Sequence, residues 1–384
     1  CVVILGDLGH SPRMQYHALS LARQASLEVD IVAYGDTTAK TILYPLMLLL
    51  KPIIQFVILL WFLCFKVLPP DAFIVQNPPS IPTLMAVKWV SSLRKSAFIV
   101  DWHNFGYTLL GLSVGRSSPF VSIYCWFEKR YGQIANGSLC VTREMQLELA
   151  QNWGNRATVL YDQPHEFFCP TSLQEKHNVF CGLNRYLCHP LGVQDCVTAR
   201  VLWKEISGGK QYLYPRLLFI ITGKGPEKEK YEEKIKRLNL KRVAFRTMWL
   251  STEEYPLLLG SADLGVYWHT SSSGLDLPMK YALFPTVVKL VHLSFMVYWL
   301  IIRYLLMLNI DELVKVEKNG LLFSSSSELV DELLMLFRGF PNECDALKSL
   351  KNGALETGSS ARWAAEWEEH AKPLISEVIS RNLK

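Results

Sequence analysis

Short apolar runs that end in polar or glycine-containing turns recur along this chain, and their recurrence constrains its fold more than any other feature. In the first half these runs are "CVVILGDLG", "DAFIVQNPPS", "AFIVDWHNFG", "GSLCVTRE" and "ATVLYDQP". Stretches with helical patterns separate them, and buried strands that alternate with helices are typical of a parallel α/β sheet. Such sheets bind ligands at the carboxyl ends of their strands, which directs attention to residues 6–13, 76–80 and 101–106.

A second set of strand and helix patterns follows residue 212. The runs "LLFIITGKGPE", "VAFRTMWL", "ADLGVYWHTSSSG" and "NGLLF" predict further strands, and Ser251 with Glu254 predicts a capping box at a helix start. Two successive halves of this kind predict an α/β protein with two Rossmann-like domains that face a cleft. The expected parts are a first domain at 1–167, a linker or truncated region at 168–211, a second domain at 212–355 and a closing helix at 356–384.

Three stretches do not fit this pattern. Residues 42–65 are strongly apolar but contain Pro45 and Pro52, and a membrane-spanning helix needs about 20 clean apolar residues. A helix that lies on a membrane surface is therefore favoured there over a buried core helix. Residues 171–210 contain no convincing strand where the second sheet should begin. Residues 281–310 are apolar and interrupt the second domain.

The composition excludes several classes of protein. Half of the 384 residues are hydrophobic and 20% are charged, which is too polar for a transporter with many spans. The net charge of +5 comes from scattered basic residues without an aromatic–basic repeat, so nucleic acid is not an expected partner. Nine dispersed cysteines without a CxxC pair favour free thiols in a reducing compartment over a disulfide framework. No Asp-x-Asp or GxSxG motif occurs, which argues against a metal-clamping glycosyltransferase and a hydrolase.

Polar residues at the strand ends of the first domain are the first set of candidates. Gly6 and Gly9 form a turn before a helix, and both a tight turn and a set of backbone amides facing an anion explain them. Arg13 at the start of that helix adds positive charge. Asp101 and His103 follow a buried strand, where a core residue would be apolar. His103 is therefore a candidate for acid–base chemistry or phosphate binding, with a structural role as the alternative.

Two loops of the second domain carry donors suited to a diphosphate. Lys224 lies between Gly223 and Gly225 at the end of a strand, in a turn too short for a Walker loop. It either binds a diphosphate or is a solvated lysine. Another predicted strand ends in consecutive donors at a helix start, a good cradle for an anion: Ser271, Ser272, Ser273 and Gly274.

Seven motifs in order give the chain a resemblance to a known family. They are "GDLGHSPRMQYHALSLA", "QNPPSIPTL", "VDWHNFGYTLL", "VLYDQP", "LLFIITGKGPE", "TMWL" and "HTSSSGLDLPMK". Together they resemble the β-mannosyltransferases that act on chitobiosyl-diphosphate-dolichol. The resemblance covers about residues 1–192, 212–280 and 312–384.

The resemblance implies a GT-B fold and transfer of mannose from GDP-mannose to GlcNAc2-diphosphate-dolichol, with inversion, without a cofactor and without an essential clamped metal. It implies a location on the cytoplasmic face of the endoplasmic reticulum membrane, with residues 42–65 against the bilayer and other mannosyltransferases of lipid-linked oligosaccharides as expected partners. Asp101 or His103 is then the base or a contact to the acceptor phosphate. The other candidates line the acceptor side of the cleft (Gly6, Gly9, Arg13) or bind the leaving diphosphate (Gly223, Lys224, Gly225, residues 271–274).

The chain departs from the family pattern in two places. The family follows "LDLPMK" with a short helix that carries an acidic residue, expected to hold the nucleotide ribose, and with a "GCGLPV" turn. Here residue 280 leads into the apolar stretch 281–310 instead, and a family stretch after "HPLGV" is also missing. We therefore expect an aberrant splice form or gene model. The alternative functions are a catalytically impaired membrane-bound scaffold that binds lipid diphosphate or partner glycosyltransferases, and a UDP-sugar-dependent glycosyltransferase.

Overall fold

The computed structural model of the chain has the α/β architecture that the sequence predicts. It describes residues 1–33, 44–163, 168–179, 217–223, 225, 227–237, 243–251, 253–269, 271–275, 288–293, 314–338, 342, 344–360 and 363–382. Every strand pairing among these residues is parallel. The six cysteines in this part of the chain are free thiols, as their dispersed positions predict.

The first half folds around a six-stranded sheet in the order β2-β1-β3-β4-β5-β6. Successive side chains of a strand point to opposite faces, so Phe73 and Val75 enter one core cluster while Ile74 enters the other. Because both faces are covered, the strands are continuous apolar runs rather than alternating ones. The strands are Val2–Ile4 (β1), Ile31–Ala33 (β2), Ala72–Asn77 (β3), Ala97–Trp102 (β4), Gly137–Cys140 (β5) and Thr158–Val159 (β6).

Six helices cover this sheet. They are Pro12–Arg23 (α1), Tyr44–Phe65 (α2), Thr83–Arg94 (α3), Gly106–Val114 (α4), Pro119–Gln133 (α5) and Arg143–Gln151 (α6). α1 begins where the Ser-Pro signal predicts, with Ser11 at the N-cap and Pro12 as first residue. A short 3-10 helix, Leu8–His10, precedes it.

α2 is the apolar helix predicted within residues 42–65. Pro52 lies inside it without ending it. One face of α2 packs into the core through Leu59 and Leu63, while Val57 and Trp61 on other faces are exposed. Within the described part of the chain, no helix combines the length and apolarity that a membrane crossing requires.

The described strands of the second half form two smaller parallel sheets. β7 pairs with β8, and β10 lies between β9 and β11. The strands are Leu217–Thr222 (β7), Val243–Met248 (β8), Leu264–His269 (β9), Val288–Leu293 (β10) and Gly320–Phe323 (β11). β10 falls inside residues 281–310, which we expected to be foreign to this domain. Its backbone pairs with both neighbours, and its valines and leucines favour a strand although the segment also contains Lys289 and His292.

The helices of the second half begin at sequence signals that are visible in the chain. They are Lys228–Arg237 (α7), Glu254–Ser261 (α8), Ser326–Leu336 (α9) and Asp345–Ser360 (α10). The predicted capping box of α8 is confirmed, since Ser251 N–H donates to Glu254 Oε2 at 3.1 Å and Glu254 N–H donates to Ser251 Oγ at 3.2 Å.

The C-terminal segment returns to the first domain. It consists of Trp363–Glu366 (α11), a π-helical turn at Trp367–Ala371 and Lys372–Asn382 (α12), where the sequence predicts one helix. Trp363 and Trp367 are buried in the core cluster that also contains β1 and α1 residues. Trp363 Nε1–H donates to Ser20 Oγ of α1 at 3.0 Å, so this closing segment becomes part of the first domain's core.

Candidate active site

The carboxylate of Asp101, near the end of β4, is the centre of a buried polar cluster. Arg13 donates from Nε to Oδ2 at 2.8 Å and from Nη2 to Oδ1 at 2.9 Å, which is a bidentate ion pair. His17 and His103 approach Oδ2 through Nε2, at 3.2 and 2.8 Å. Burial by itself would raise the pKa of Asp101, but Arg13 and the two imidazoles hold it well below its usual range. The carboxylate is therefore ionised.

Trp367 fixes the tautomer of His17. The indole N–H can only donate, and it lies 3.1 Å from His17 Nδ1, so Nδ1 accepts. The proton of a neutral His17 is then on Nε2, facing Asp101. Burial lowers the pKa of His17, although its hydrogen bond to Asp101 opposes this. His17 is thus a neutral donor that holds Asp101 in place.

His103 differs from Asp101 and His17 because it reaches the surface, with 12% of its side chain exposed. The ionised Asp101 accepts a hydrogen bond from His103 Nε2–H, which leaves Nδ1 as the nitrogen that can take a proton. Its backbone N–H donates to Asn77 O at 2.8 Å, which ties it to the end of β3. Of the two residues predicted as the base, the geometry favours His103, with Asp101 orienting it. Its role as a base stays a prediction.

Glu128 of α5 is a second buried carboxylate beside this cluster, and the sequence did not single it out. Its carboxylate accepts from Asn77 Nδ2 at 2.6 Å, Ser80 Oγ at 2.8 Å, Gly106 N–H at 2.8 Å and Tyr107 N–H at 3.2 Å. Burial raises the pKa of Glu128, and these donors oppose the rise. Glu128 thereby joins the loop after β3 to the start of α4, on either side of His103.

His17 carried a signal that sequence reasoning could have used. It lies four residues after Arg13 on α1, on the same buried face as Met14, Ala18 and Leu21. Two ionisable side chains at helical spacing on a largely apolar face indicate a buried partner. Glu128 carried a weaker form of this signal, as a single charged residue on the buried face of α5 that also contains Val121 and Gly132.

The serine-containing loop after β9 contacts the first domain next to His103. Asn104 Nδ2 donates to Ser272 Oγ at 3.2 Å, and Thr108 Oγ1 lies 2.9 Å from the same oxygen. Thr142 Oγ1 donates to Leu275 O at 2.6 Å. The structure therefore brings the predicted donor loop and the predicted acceptor-side residues to one place.

Two amides of this loop are bound by its own hydroxyl groups. Gly274 N–H donates to Ser271 Oγ at 2.7 Å, and Leu275 N–H donates to Ser273 Oγ at 3.2 Å. Gly274 has φ +75°, a left-handed conformation that favours glycine. An anion bound here would replace these internal bonds, and the proposed diphosphate role of residues 271–274 stays a prediction.

The other candidates are placed as follows. Gly6 faces open space, since an ideal Cβ there would meet no atom within 4 Å. The N–H of Gly9 donates to Asp7 Oδ1 at 2.8 Å, so Gly9 belongs to the cap of the 3-10 helix. Arg13 does not line an open cleft: its side chain is 1% exposed, because Asp101 and Asp162 draw the guanidinium into the core. Its influence on the cleft is therefore indirect, through partners such as Asp101.

The glycine–lysine turn of the second domain is described in part. Gly223 has φ +139° and donates its N–H to Met248 O at 3.2 Å. Ideal Cβ atoms on Gly223 and Gly225 would meet no atom within 4 Å, so both face open space. Lys224 lies outside the described residues.

Comparison with known proteins identifies relatives along nearly the whole chain. No family model matches it. The chain is 53% identical to UDP-glycosyltransferase TURAN of Arabidopsis thaliana, and the match covers 99% of this chain and 98% of TURAN. It is 33% identical to the chitobiosyldiphosphodolichol beta-mannosyltransferases of Mus musculus and Homo sapiens, covering 98% of this chain and 88% and 92% of theirs.

Solved structures share the fold. HepE of Anabaena in complex with UDP-glucose matches with a TM-score of 0.58 at 12% identity, over 98% of both chains. Sucrose-phosphate synthase from Thermosynechococcus elongatus matches with a TM-score of 0.59 at 10% identity, over 99% of this chain and 98% of its own. The fold and the relatives define the chain as a GT-B glycosyltransferase of the hexosyltransferase class. By its full-length identity to curated members, it belongs to the chitobiosyldiphosphodolichol beta-mannosyltransferase family.

The alignment with TURAN also shows that part of TURAN has no counterpart within this chain. Its 466 aligned positions exceed the 384 residues of this chain by 82, so at least that many positions of TURAN face gaps here. This fits an internal stretch that is absent from this chain. Its location after "HPLGV" stays a prediction.

Proposed function

We propose that this chain transfers mannose from GDP-mannose to GlcNAc2-diphosphate-dolichol with inversion at the anomeric carbon. The observation that carries the proposal is the His103 imidazole, which Asp101 orients at the edge of the sheet where the serine loop meets the first domain. Membership of the mannosyltransferase family supports the donor and the acceptor.

In the proposed reaction, His103 Nδ1 accepts the proton of the acceptor 4-hydroxyl as that oxygen attacks the anomeric carbon. The ionised Asp101 stabilises the imidazolium that forms. The bond from the anomeric carbon to the diphosphate breaks, and donors of residues 271–274 together with Lys224 stabilise the leaving GDP. The mechanism requires neither a cofactor nor a clamped metal ion.

The exposed face of α2 supports a location at a membrane. Ile53, Val57 and Phe65 are 59%, 57% and 75% exposed, although they are large apolar side chains. A patch of this kind on a soluble surface is unusual and typical of helices that lie in a bilayer interface. We propose that α2 holds the first domain on the cytoplasmic face of the endoplasmic reticulum membrane, where the dolichol-linked acceptor and partner mannosyltransferases are found.

The donor nucleotide has a second candidate, because the relative TURAN carries the name UDP-glycosyltransferase. Titration of the purified chain with GDP-mannose and with UDP-glucose, followed by thermal denaturation, distinguishes the two. A ligand at 100 times its Kd stabilises a protein by about 2.7 kcal/mol. We expect GDP-mannose to raise the Tm and UDP-glucose to leave it unchanged; the reverse result would replace the donor.

A transfer assay with a chitobiosyl-diphosphate lipid tests the reaction. We expect His103→Gln to lower kcat by about 10²–10⁴, whereas His370→Gln, a partly exposed histidine on the C-terminal segment, should keep full activity. Absence of transfer together with absence of nucleotide stabilisation would favour the scaffold alternative, which the internal gaps relative to TURAN make the second candidate.

A further inference from the structure

The helices α4 and α5 form an antiparallel hairpin at the carboxyl edge of the first sheet. Gly106 lets the two helices approach closely, since a Cβ there would lie 2.7 Å from Tyr124 Cε1. Further along, a Cβ on Gly111 would make an ordinary contact with Val121 Cγ2 at 3.9 Å. The pairing of 106 with 124 and of 111 with 121 places residues 112–120 at the tip. The base of the hairpin lies next to His103.

The outer surface of this hairpin is apolar although it is exposed. Phe120, Ile123 and Trp126 of α5 are 63%, 60% and 67% exposed, while Val121 and Glu128 on the opposite face are buried. Leu112 and Val114 continue the surface at the end of α4. A surface helix normally presents polar residues to water, so the exposed apolar residues of α5 indicate an apolar partner.

Charge identifies the class of that partner. Residues 102–127 contain no aspartate or glutamate, and Arg116 is exposed at the tip of the hairpin. Between residues 44 and 127 the acidic residues are Asp71, which precedes β3 at the opposite edge of the sheet, and the buried Asp101. An apolar surface that carries basic but no acidic side chains is complementary to an anionic lipid bilayer.

The hairpin lies in the same layer of helices as α2. α3 contacts both α2 and α5, and side chains of all three helices pack in the core cluster on one face of the sheet. The exposed apolar residues of α2 and of the hairpin therefore belong to one layer of helices, as does Trp89 of α3, which is 54% exposed.

Contacts at the base of the hairpin connect its outer face to the candidate site. Tyr124 OH accepts from Ser80 N–H at 3.0 Å, and Glu128 binds the loops on both sides of His103. Because Tyr124 pairs with Gly106 at the base, Ile123 and Trp126 lie on α5 beside the base, whereas Phe120 lies at the tip. The exposed apolar face of α5 therefore extends from the tip to the part of the hairpin that is next to His103.

We infer that the outer apolar face of the α4–α5 hairpin lies in the surface of an anionic lipid bilayer and so holds the neighbouring His103 close to the membrane. The purpose of that closeness rests on the proposed function, whereas the membrane contact does not. The occupant is the bilayer itself, and the surface is separate from that of α2 in sequence.

Flotation of the full chain with vesicles of phosphatidylcholine containing about 30% phosphatidylserine tests this contact. We expect the triple variant Phe120→Ser, Ile123→Ser, Trp126→Ser to bind at least ~10-fold more weakly than the wild type, because three large apolar side chains no longer leave water. Leu147→Ser is the matched control: this leucine is 44% exposed on α6 and should bind as the wild type does. Circular dichroism melts should coincide, since the changed side chains are mostly exposed.

Two further measurements distinguish a contact with lipid from a contact with another protein. Brominated lipids should quench the fluorescence of the wild type more than that of Trp126→Phe, whereas Trp249→Phe, an exposed tryptophan of the second half, should not reduce quenching. Arg116→Glu should weaken binding to anionic vesicles and leave binding to pure phosphatidylcholine unchanged.

Several results would overturn the inference. Equal vesicle binding by the triple variant and the wild type would mean that α2 alone contacts the membrane, or that the hairpin binds a protein. Absence of vesicle binding by the wild type would also refute it. Because flotation requires no nucleotide, a chain that binds vesicles but transfers no mannose would refute the proposed function and leave the hairpin contact standing.

Discussion

Replacement of Asp101 by asparagine is the sharpest test of the buried cluster. The two side chains have nearly the same shape, so packing is kept while the negative charge is lost. The carboxylate accepts four hydrogen bonds, from two nitrogens of Arg13, from His17 and from His103. An amide offers one acceptor oxygen and an NH2 group, so at least one donor must face another donor whichever way it is turned.

The size of the stability loss depends on the partners that Arg13 keeps when Asp101 is replaced. Removal of one partner from a buried ion pair costs about 3–5 kcal/mol, because the remaining charge is buried without compensation. Arg13 Nη1 keeps Asp162 Oδ1 at 2.7 Å and Leu160 O at 2.8 Å. We therefore expect a loss near the lower end of that range, about 3 kcal/mol in the free energy of unfolding.

Urea unfolding of the full chain, with hydrogen exchange of residues 97–102 as a local probe of the first domain, measures this loss. Asp162→Asn is the matched control: it removes a partner of the same Arg13, but its side chain is 15% exposed, so water compensates and the loss should be less than half as large. Adding Arg13→Met to Asp101→Asn should recover part of the stability, because the unpaired charge is then gone. A loss at Asp101 no larger than that at Asp162 would refute this account of the cluster.

Three other outcomes follow from named contacts. Burial lowers the pKa of His17, so below about pH 6.5 the unfolded chain binds more protons than the folded one. The free energy of unfolding should therefore fall as the pH decreases from 7 to 5. In urea unfolding at several pH values His17→Gln should show a shallower dependence on pH, and an unchanged dependence would contradict this. Glu128→Gln should cost about 1–3 kcal/mol, since an amide nitrogen would then face a backbone N–H, and thermal melts that match the wild type would contradict it. Gly353→Ala should cost about 1–3 kcal/mol in the same melts because its Cβ would lie 2.0 Å from Lys318 O, whereas Gly225→Ala, in open space, should be nearly neutral.

The local patterns of the sequence were sufficient for most elements of the fold. Each apolar run named for the first half became a strand or part of one, and the Ser251 capping box formed as predicted. These features depend on residues close together in the chain, such as a polar cap or a glycine turn. The apolar stretch 281–310 shows the limit, because apolarity alone does not distinguish an insertion from the central strand β10, whose partners are β9 and β11.

The candidate site was predictable in position but not in its internal roles. The strand-end rule pointed to Asp101 and His103, since the carboxyl ends of parallel strands share one edge. It could not show that Arg13 turns inward to Asp101, or that Trp367 reaches His17 from 350 positions away in the sequence. Such partners are set by tertiary packing, and the closing segment supplies one of them.

The arrangement separates the acceptor side of this chain from its unusual second half. Asp101, Arg13, His17, His103 and Glu128 all precede the region around 281–310, and Trp367 follows it. The hydrogen bonds that hold these six side chains together within the described part of the chain involve no residue of 281–310. The serine loop contacts the first domain beside this cluster, through Ser272 and Leu275. If the altered segment impairs nucleotide binding, sugar transfer should be lost, whereas Asp101→Asn should still lower the free energy of unfolding and the hairpin should still bind vesicles. If sugar transfer, the stability loss of Asp101→Asn and vesicle binding are all absent, the first domain depends on the second for its fold.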